Sequence, residues 1–128
     1  MTLLAVLLGG LLGSGLRLAI DAALPHSDAA FPWSTLLINL VGSFVLAVLV
    51  ARVWPNAPAW LRAGLGTGVL GSFTTFSALI VSLLTLTRAG MPLLALVYLL
   101  VSLALGLGAA LLGLRIGSRS APARAVDE

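Results

Sequence analysis

Midway along an apolar stretch long enough to cross a membrane stand seven residues, Gly71-Ser72-Phe73-Thr74-Thr75-Phe76-Ser77. Glycine, hydroxyls and aromatics in that place are poor material for an unbroken lipid-facing helix. Lipid offers no partner to a free N–H or C=O. Irregular backbone at membrane depth therefore survives only when buried in protein or lining a watery path. The cluster predicts a broken helix that handles a polar solute or an ion.

The surrounding composition fits a membrane chain. Of the 128 residues, 60% are hydrophobic and only 9% charged, where a soluble domain carries roughly 25% charged residues. Apolar runs near the roughly 20 residues that a spanning helix needs occur at about 2–23, 33–54, 60–87 and 92–114. They are separated by Pro25-His26-Ser27-Asp28, by Pro55-Asn56-Ala57-Pro58 and by Arg88-Ala89-Gly90-Met91-Pro92. The expected architecture is an all-α membrane domain over residues 1–117, with four transmembrane helices and the third broken near its middle. A polar tail over 118–128 follows. Trp33, Trp54 and Trp60 fall at span ends, where amphipathic rings sit at the membrane–water interface. The start has no basic residue before its apolar run, so it reads as a first membrane helix and not as a cleaved leader.

Four spans place both termini and the middle loop on one side. That side holds Arg52, Arg62, Arg115, Arg119 and Arg124; the other holds Arg17 and Arg88 with Asp21 and Asp28. The arginine bias predicts a cytoplasmic N-terminus. The arginines stand singly at span ends without aromatic interleaving, which speaks against nucleic acid as a partner. His26 reads as a solvated loop residue.

Polar residues inside the spans are few and patterned. Thr35, Asn39 and Ser43 recur every four residues on one face of the second helix. Such a stripe either glues helices together or lines a path. Tyr98 and Ser102, followed by Gly106, form a shorter stripe on the fourth helix. Small residues recur at the same spacing in Gly9/Gly13, Gly64/Gly68, Gly106/Ala110 and Gly113/Gly117, a pattern that lets helix backbones approach closely. Half-helix ends at a break offer positive dipole ends and freed carbonyls. Phe73 and Phe76 beside it can present positive ring edges to an anion. No Asp, Glu, Lys or His lies deep in any span, so a proton-coupled exporter lacks its titratable relay. The chain has no cysteine, no nucleophile–base pair and no phosphate loop, and it reads as a transport protein and not an enzyme.

These residues resemble the Fluc (CrcB) fluoride channels over nearly the whole chain up to about Gly117. Four motifs carry the resemblance: Gly9, Gly10, Gly13 and Arg17; Thr35, Asn39, Gly42, Ser43 and Phe44; Thr67, Gly68, Gly71, Thr74, Thr75, Phe76 and Ser77; and Tyr98 with Ser102. The resemblance implies a multi-pass channel subunit of the bacterial plasma membrane that exports fluoride passively. It implies an antiparallel dimer in lipid with two narrow anion paths and a structural sodium ion at the dimer centre, held by the backbone carbonyls of Gly71 and Thr74. Anion-path residues map to Asn39, Phe76, Ser77, Tyr98 and Ser102. Arg17 and Thr75 map to structural or vestibule roles.

The chain also departs from that pattern. Ser72 replaces a glycine, Ala78 a hydroxyl residue and Leu79 the second phenylalanine of an aromatic pair, and a glutamate usual shortly afterwards is missing from Ile80-Val81-Ser82-Leu83. With the arginine split, these departures raise the alternative of one subunit of a heterodimer, non-conducting or half-active by itself. A small multidrug exporter shares the four-helix size but carries a membrane-embedded glutamate that the first helix here lacks.

Overall fold

The structure, a computed structural model, describes residues 1–25 and 27–119. His26, Arg124 and the tail from 120 onward lie outside the described residues. Among the described residues, four helices are long and apolar enough to cross a membrane: Thr2–Ala23, Trp33–Asn56, Ala59–Arg88 and Pro92–Arg119. Most of their leucines face outward, as side chains do where the solvent is hydrocarbon. Two of the helices run beyond the apolar segments. The second closes with a π-helical turn over Leu49–Val53 and a 3-10 turn over Trp54–Asn56. The fourth continues to Arg119 instead of stopping near residue 114.

The subunit is two close helix pairs joined at the break. The first helix lies along the first half of the third, residues 59–73, and the second lies along the fourth. Small residues make both seams. A side chain at Gly13 would collide with the Val69 carbonyl and the Ser72 hydroxyl, and one at Gly9 with the Gly64 carbonyl. Along the other seam, a Cβ at Gly113 would stand 2.5 Å from the Phe44 carbonyl oxygen, and one at Gly117 2.7 Å from the Ala51 methyl. This second contact explains the longer fourth helix, since Gly117 extends the seam one turn. Gly106, by contrast, has open space around it, so its spacing with Ala110 makes no seam within the subunit.

The third helix is irregular before it breaks. Residues Ala63–Leu70 are π-helical, with wide turns where Gly64, Gly66 and Gly68 supply little side-chain packing. One α-helical turn, Gly71–Phe73, follows. Thr74 and Thr75 are then extended, at φ −74°, ψ 155° and φ −148°, ψ 121°, before the helix resumes over Phe76–Arg88. That second half packs on the fourth helix around a core of Leu36, Leu79, Leu86, Ala95 and Tyr98.

Gly113→Leu is expected to push the second and fourth helices apart and destabilise the protein by about 1–3 kcal/mol, the usual size of overpacking. Gly106→Ala should be near neutral. Thermal unfolding of the two variants in detergent checks the contrast.

Candidate ion site at the helix break

A break inside a membrane helix must find partners for the groups it frees, and the second helix provides them. The Thr75 N–H donates to Asn39 Oδ1 at 2.8 Å, and Asn39 Nδ2 donates to the Thr75 carbonyl at 2.9 Å. A primary amide is suited to this task, because it carries an acceptor and a donor side by side. The second N–H of Asn39 Nδ2 remains available. The Thr75 side chain serves the same break, accepting from Ala78 N–H at 3.1 Å as an N-cap. Its Oγ1 also lies 3.2 Å from Ser77 Oγ. Gly42 allows the approach, since a Cβ there would overlap the Thr74 methyl.

These bonds release two particular carbonyls. In a continuous helix the Thr75 N–H would bond the Gly71 carbonyl, and the Ala78 N–H would bond the Thr74 carbonyl. Both donors are diverted, one to Asn39 and one to the Thr75 hydroxyl. Gly71 is exposed and Thr74 half-buried on the subunit surface. The two freed oxygens fit a hard, weakly charged cation bound by neutral carbonyls, and no charged side chain stands with them. Among the described residues there is no cluster of His, Cys, Asp or Glu that could hold a metal by side chains.

Beside the break lies an open cleft of about 310 Å³ between the second, third and fourth helices. Its polar lining is Asn39, Ser43, Thr74, Thr75 and Ser102; Phe76 and Leu79 are among its apolar walls. Phe76 stands 75% exposed, a large ring presented outward from the subunit, whereas Leu79 is buried beneath the cleft. The Thr35–Asn39–Ser43 stripe divides its labour: Thr35 is buried, Asn39 clamps the break, and Ser43 lines the cleft.

Tyr98 lies behind the cleft and is fully buried, its ring edge-on to Phe31 at 5.3 Å between centroids. Its hydroxyl and that of Ser102 are buried without a hydrogen-bond partner. Ser77 is exposed at the start of the half-helix, outside the cleft lining. Arg17 is half-buried on the first helix and away from the cleft. The structure thus brings Asn39, Thr74, Thr75, Phe76 and Ser102 together, with Tyr98 adjoining and Arg17 apart.

Ser72 carries more than its sequence position disclosed. Ser72 Oγ lies 2.6 Å from the Gly68 carbonyl and 3.1 Å from those of Val69 and Gly10. Its single proton has the Gly68 carbonyl of the same helix as its nearest acceptor, with the Gly10 carbonyl of the first helix also in reach, contacts that a bare glycine would not make.

Asn39→Ala would leave the N–H and C=O of the buried Thr75 without their partners. Each buried unsatisfied group is worth about 1–3 kcal/mol, so this variant is expected to be among the most destabilising polar truncations in the chain. Thermal unfolding in detergent beside Ser43→Ala, which breaks no such bond, checks it.

Comparison with known proteins gives a consistent result. The family described as CrcB-like protein, Camphor Resistance (CrcB), matches residues 4–114. The chain is 45% identical over 118 residues to the fluoride-specific ion channel FluC of Xanthomonas euvesicatoria pv. vesicatoria, covering 90% of this chain and 89% of that one. It is 45% identical over 116 residues to a protein of the same name from Thermus thermophilus, covering 89% and 93%. With the fluoride-specific ion channel FluC 1 of Desulfitobacterium hafniense it shares 44% identity over 106 residues, covering 81% and 92%.

Proposed function

The chain belongs to the CrcB family, and on that premise we propose that it is a subunit of a fluoride-specific channel of the bacterial cell membrane, built to let the ion cross passively. The observation that carries this reading is the break itself. A permanently held gap in a spanning helix adjoins a cleft of uncharged donors and one exposed aromatic ring.

Fluoride is small and holds its water strongly. A path must replace that water without trapping the ion, so it needs several weak donors and no fixed cation at contact. The spare Nδ2 hydrogen of Asn39 and the hydroxyls of Ser43 and Ser102 are such donors. Phe76 adds a ring whose edge is positive. Tyr98 continues the set behind Ser102, and Ser77 extends it along the exposed side of the half-helix.

The cleft is open on one side and a single subunit cannot close it. A second copy, antiparallel in the lipid, would wall the cleft and bring two breaks together. The freed carbonyls of Gly71 and Thr74 would then hold a sodium ion between them. When bound, that ion supplies a fixed positive charge near the dimer centre, which favours anions over cations. The exposed face around Gly71, Phe76 and Gly106 is consistent with such a pairing.

A second reading is favoured by Leu79, which lines the cleft at the position where the resemblance led us to expect a second phenylalanine. In that reading a different subunit supplies the missing edge. The decisive measurement is fluoride efflux from proteoliposomes containing this chain alone, with chloride as control. Fluoride-only flux that Ser102→Ala or Phe76→Ile slows about tenfold or more supports a channel made of this chain. No flux from folded protein, restored by co-reconstitution with a relative carrying both phenylalanines, supports the mixed pair.

A further inference from the structure

Two of the three tryptophans sit as membrane-interface residues do. Trp33 and Trp60 stand 65% and 45% exposed at the starts of their spans. Trp54 differs. It is half-buried, and its indole Nε1 is buried without a hydrogen-bond partner. A ring that anchors a span keeps its N–H toward the headgroups and water. The interfacial role expected from its place in the sequence therefore does not explain this one.

The benzene edge of Trp54 lies on the bare backbone of Gly66, in the first half of the third helix. A Cβ at Gly66 would stand 3.0 Å from Trp54 Cζ2 and 3.5 Å from Cη2. The ring also borders an open cleft of about 540 Å³, whose lining includes Leu46, Arg62 and Thr67. With no hydrogen bond to fix the indole, packing against the helix does so.

Gly66 matters because of what it holds. It lies in the π-helical run Ala63–Leu70, and the Gly71 N–H reaches back to the Gly66 carbonyl, five residues earlier, and to that of Gly68. Wide turns of this kind are rare and need support. Tightening to an α-helical pattern would return the Gly71 N–H to the Thr67 carbonyl and turn the Gly71 carbonyl about the helix axis. The first helix supports the run at Gly64 and Gly68. Gly66 lies off that seam, and Trp54 covers it.

We propose that Trp54 is a positioning residue for the cation at the break: packed on Gly66, it keeps the wide turn that aims the Gly71 carbonyl. The proposal rests on the reading of the Gly71 and Thr74 carbonyls as sodium ligands, and adds to it a residue outside the ligand set.

The test is thermal unfolding of the full chain in detergent as sodium chloride replaces choline chloride at constant ionic strength. An ion bound only by the folded protein raises the unfolding temperature with its concentration. Trp54→Leu should shift the sodium concentration at which stabilisation sets in upward by about tenfold or more, the usual cost of losing a group that orients a metal ligand. Trp54→Phe keeps a flat ring over Gly66 and gives up only an unbonded N–H, so it should restore most of the affinity. An equal drop in unfolding temperature at every sodium concentration, with the onset unmoved, would make the ring a structural plug and overturn the proposal. A second measurement leaves Trp54 in place. With Trp33→Phe and Trp60→Phe it becomes the sole tryptophan, and its emission should shift over the same sodium concentrations that stabilise the chain. Emission indifferent to sodium while the ion stabilises the chain overturns the proposal and leaves the sodium reading standing. A parent chain that gains no stability from sodium overturns both, and fluoride efflux then decides the channel reading independently.

Discussion

Hydrocarbon leaves a free amide nothing to bond, and the double hydrogen bond between Asn39 and Thr75 is this chain's answer. Everything else at the site depends on it. The bond holds two residues extended in mid-membrane and diverts the donors that would have occupied the Gly71 and Thr74 carbonyls. It also ties the third helix to the second, beside the packing of the third helix's second half on the fourth. Removing the amide would take away the break's support and the site's geometry together.

Around that bond the glycines set distances. On the first seam, Gly9 and Gly13 let the first helix settle against the backbone of the third, close enough for Ser72 to reach the Gly10 carbonyl. On the second seam, Gly113 and Gly117 bring the fourth helix against the second and hold Ser102 beside the cleft. Without a hydrophobic drive between helices in lipid, close backbone contact and polar bonds are what remains to hold them. The irregular π-helical turns of 63–70 sit where the first seam is tightest.

Much of this could be read from the residues, for identifiable reasons. Span length and the polar cluster at 71–77 located the four helices and the break, because a membrane punishes both short helices and unsatisfied backbone. Spacing placed Thr35, Asn39 and Ser43 on one face but could not say which helix that face would meet. Asn39 finds its partner 36 residues away, and periodicity carries no such information. The same limit applies to Gly106, whose spacing with Ala110 matches the packed glycines yet which has open space around it. Ser72 looked like a departure from a glycine, and its hydroxyl lies between a carbonyl of its own helix and one of the first helix.

The deep portions of the spans carry no charged side chain; the arginines and aspartates lie toward the helix ends and loops. Moving one elementary charge through a membrane potential is worth about 2.3 kcal/mol per 100 mV. A protein uses that energy to open or shut only if some of its own charge travels with the motion. Here the deep portions of the described spans offer the field no side-chain charge to pull. Voltage across the membrane therefore sets the direction and speed of what passes, and leaves the shape of the passage alone.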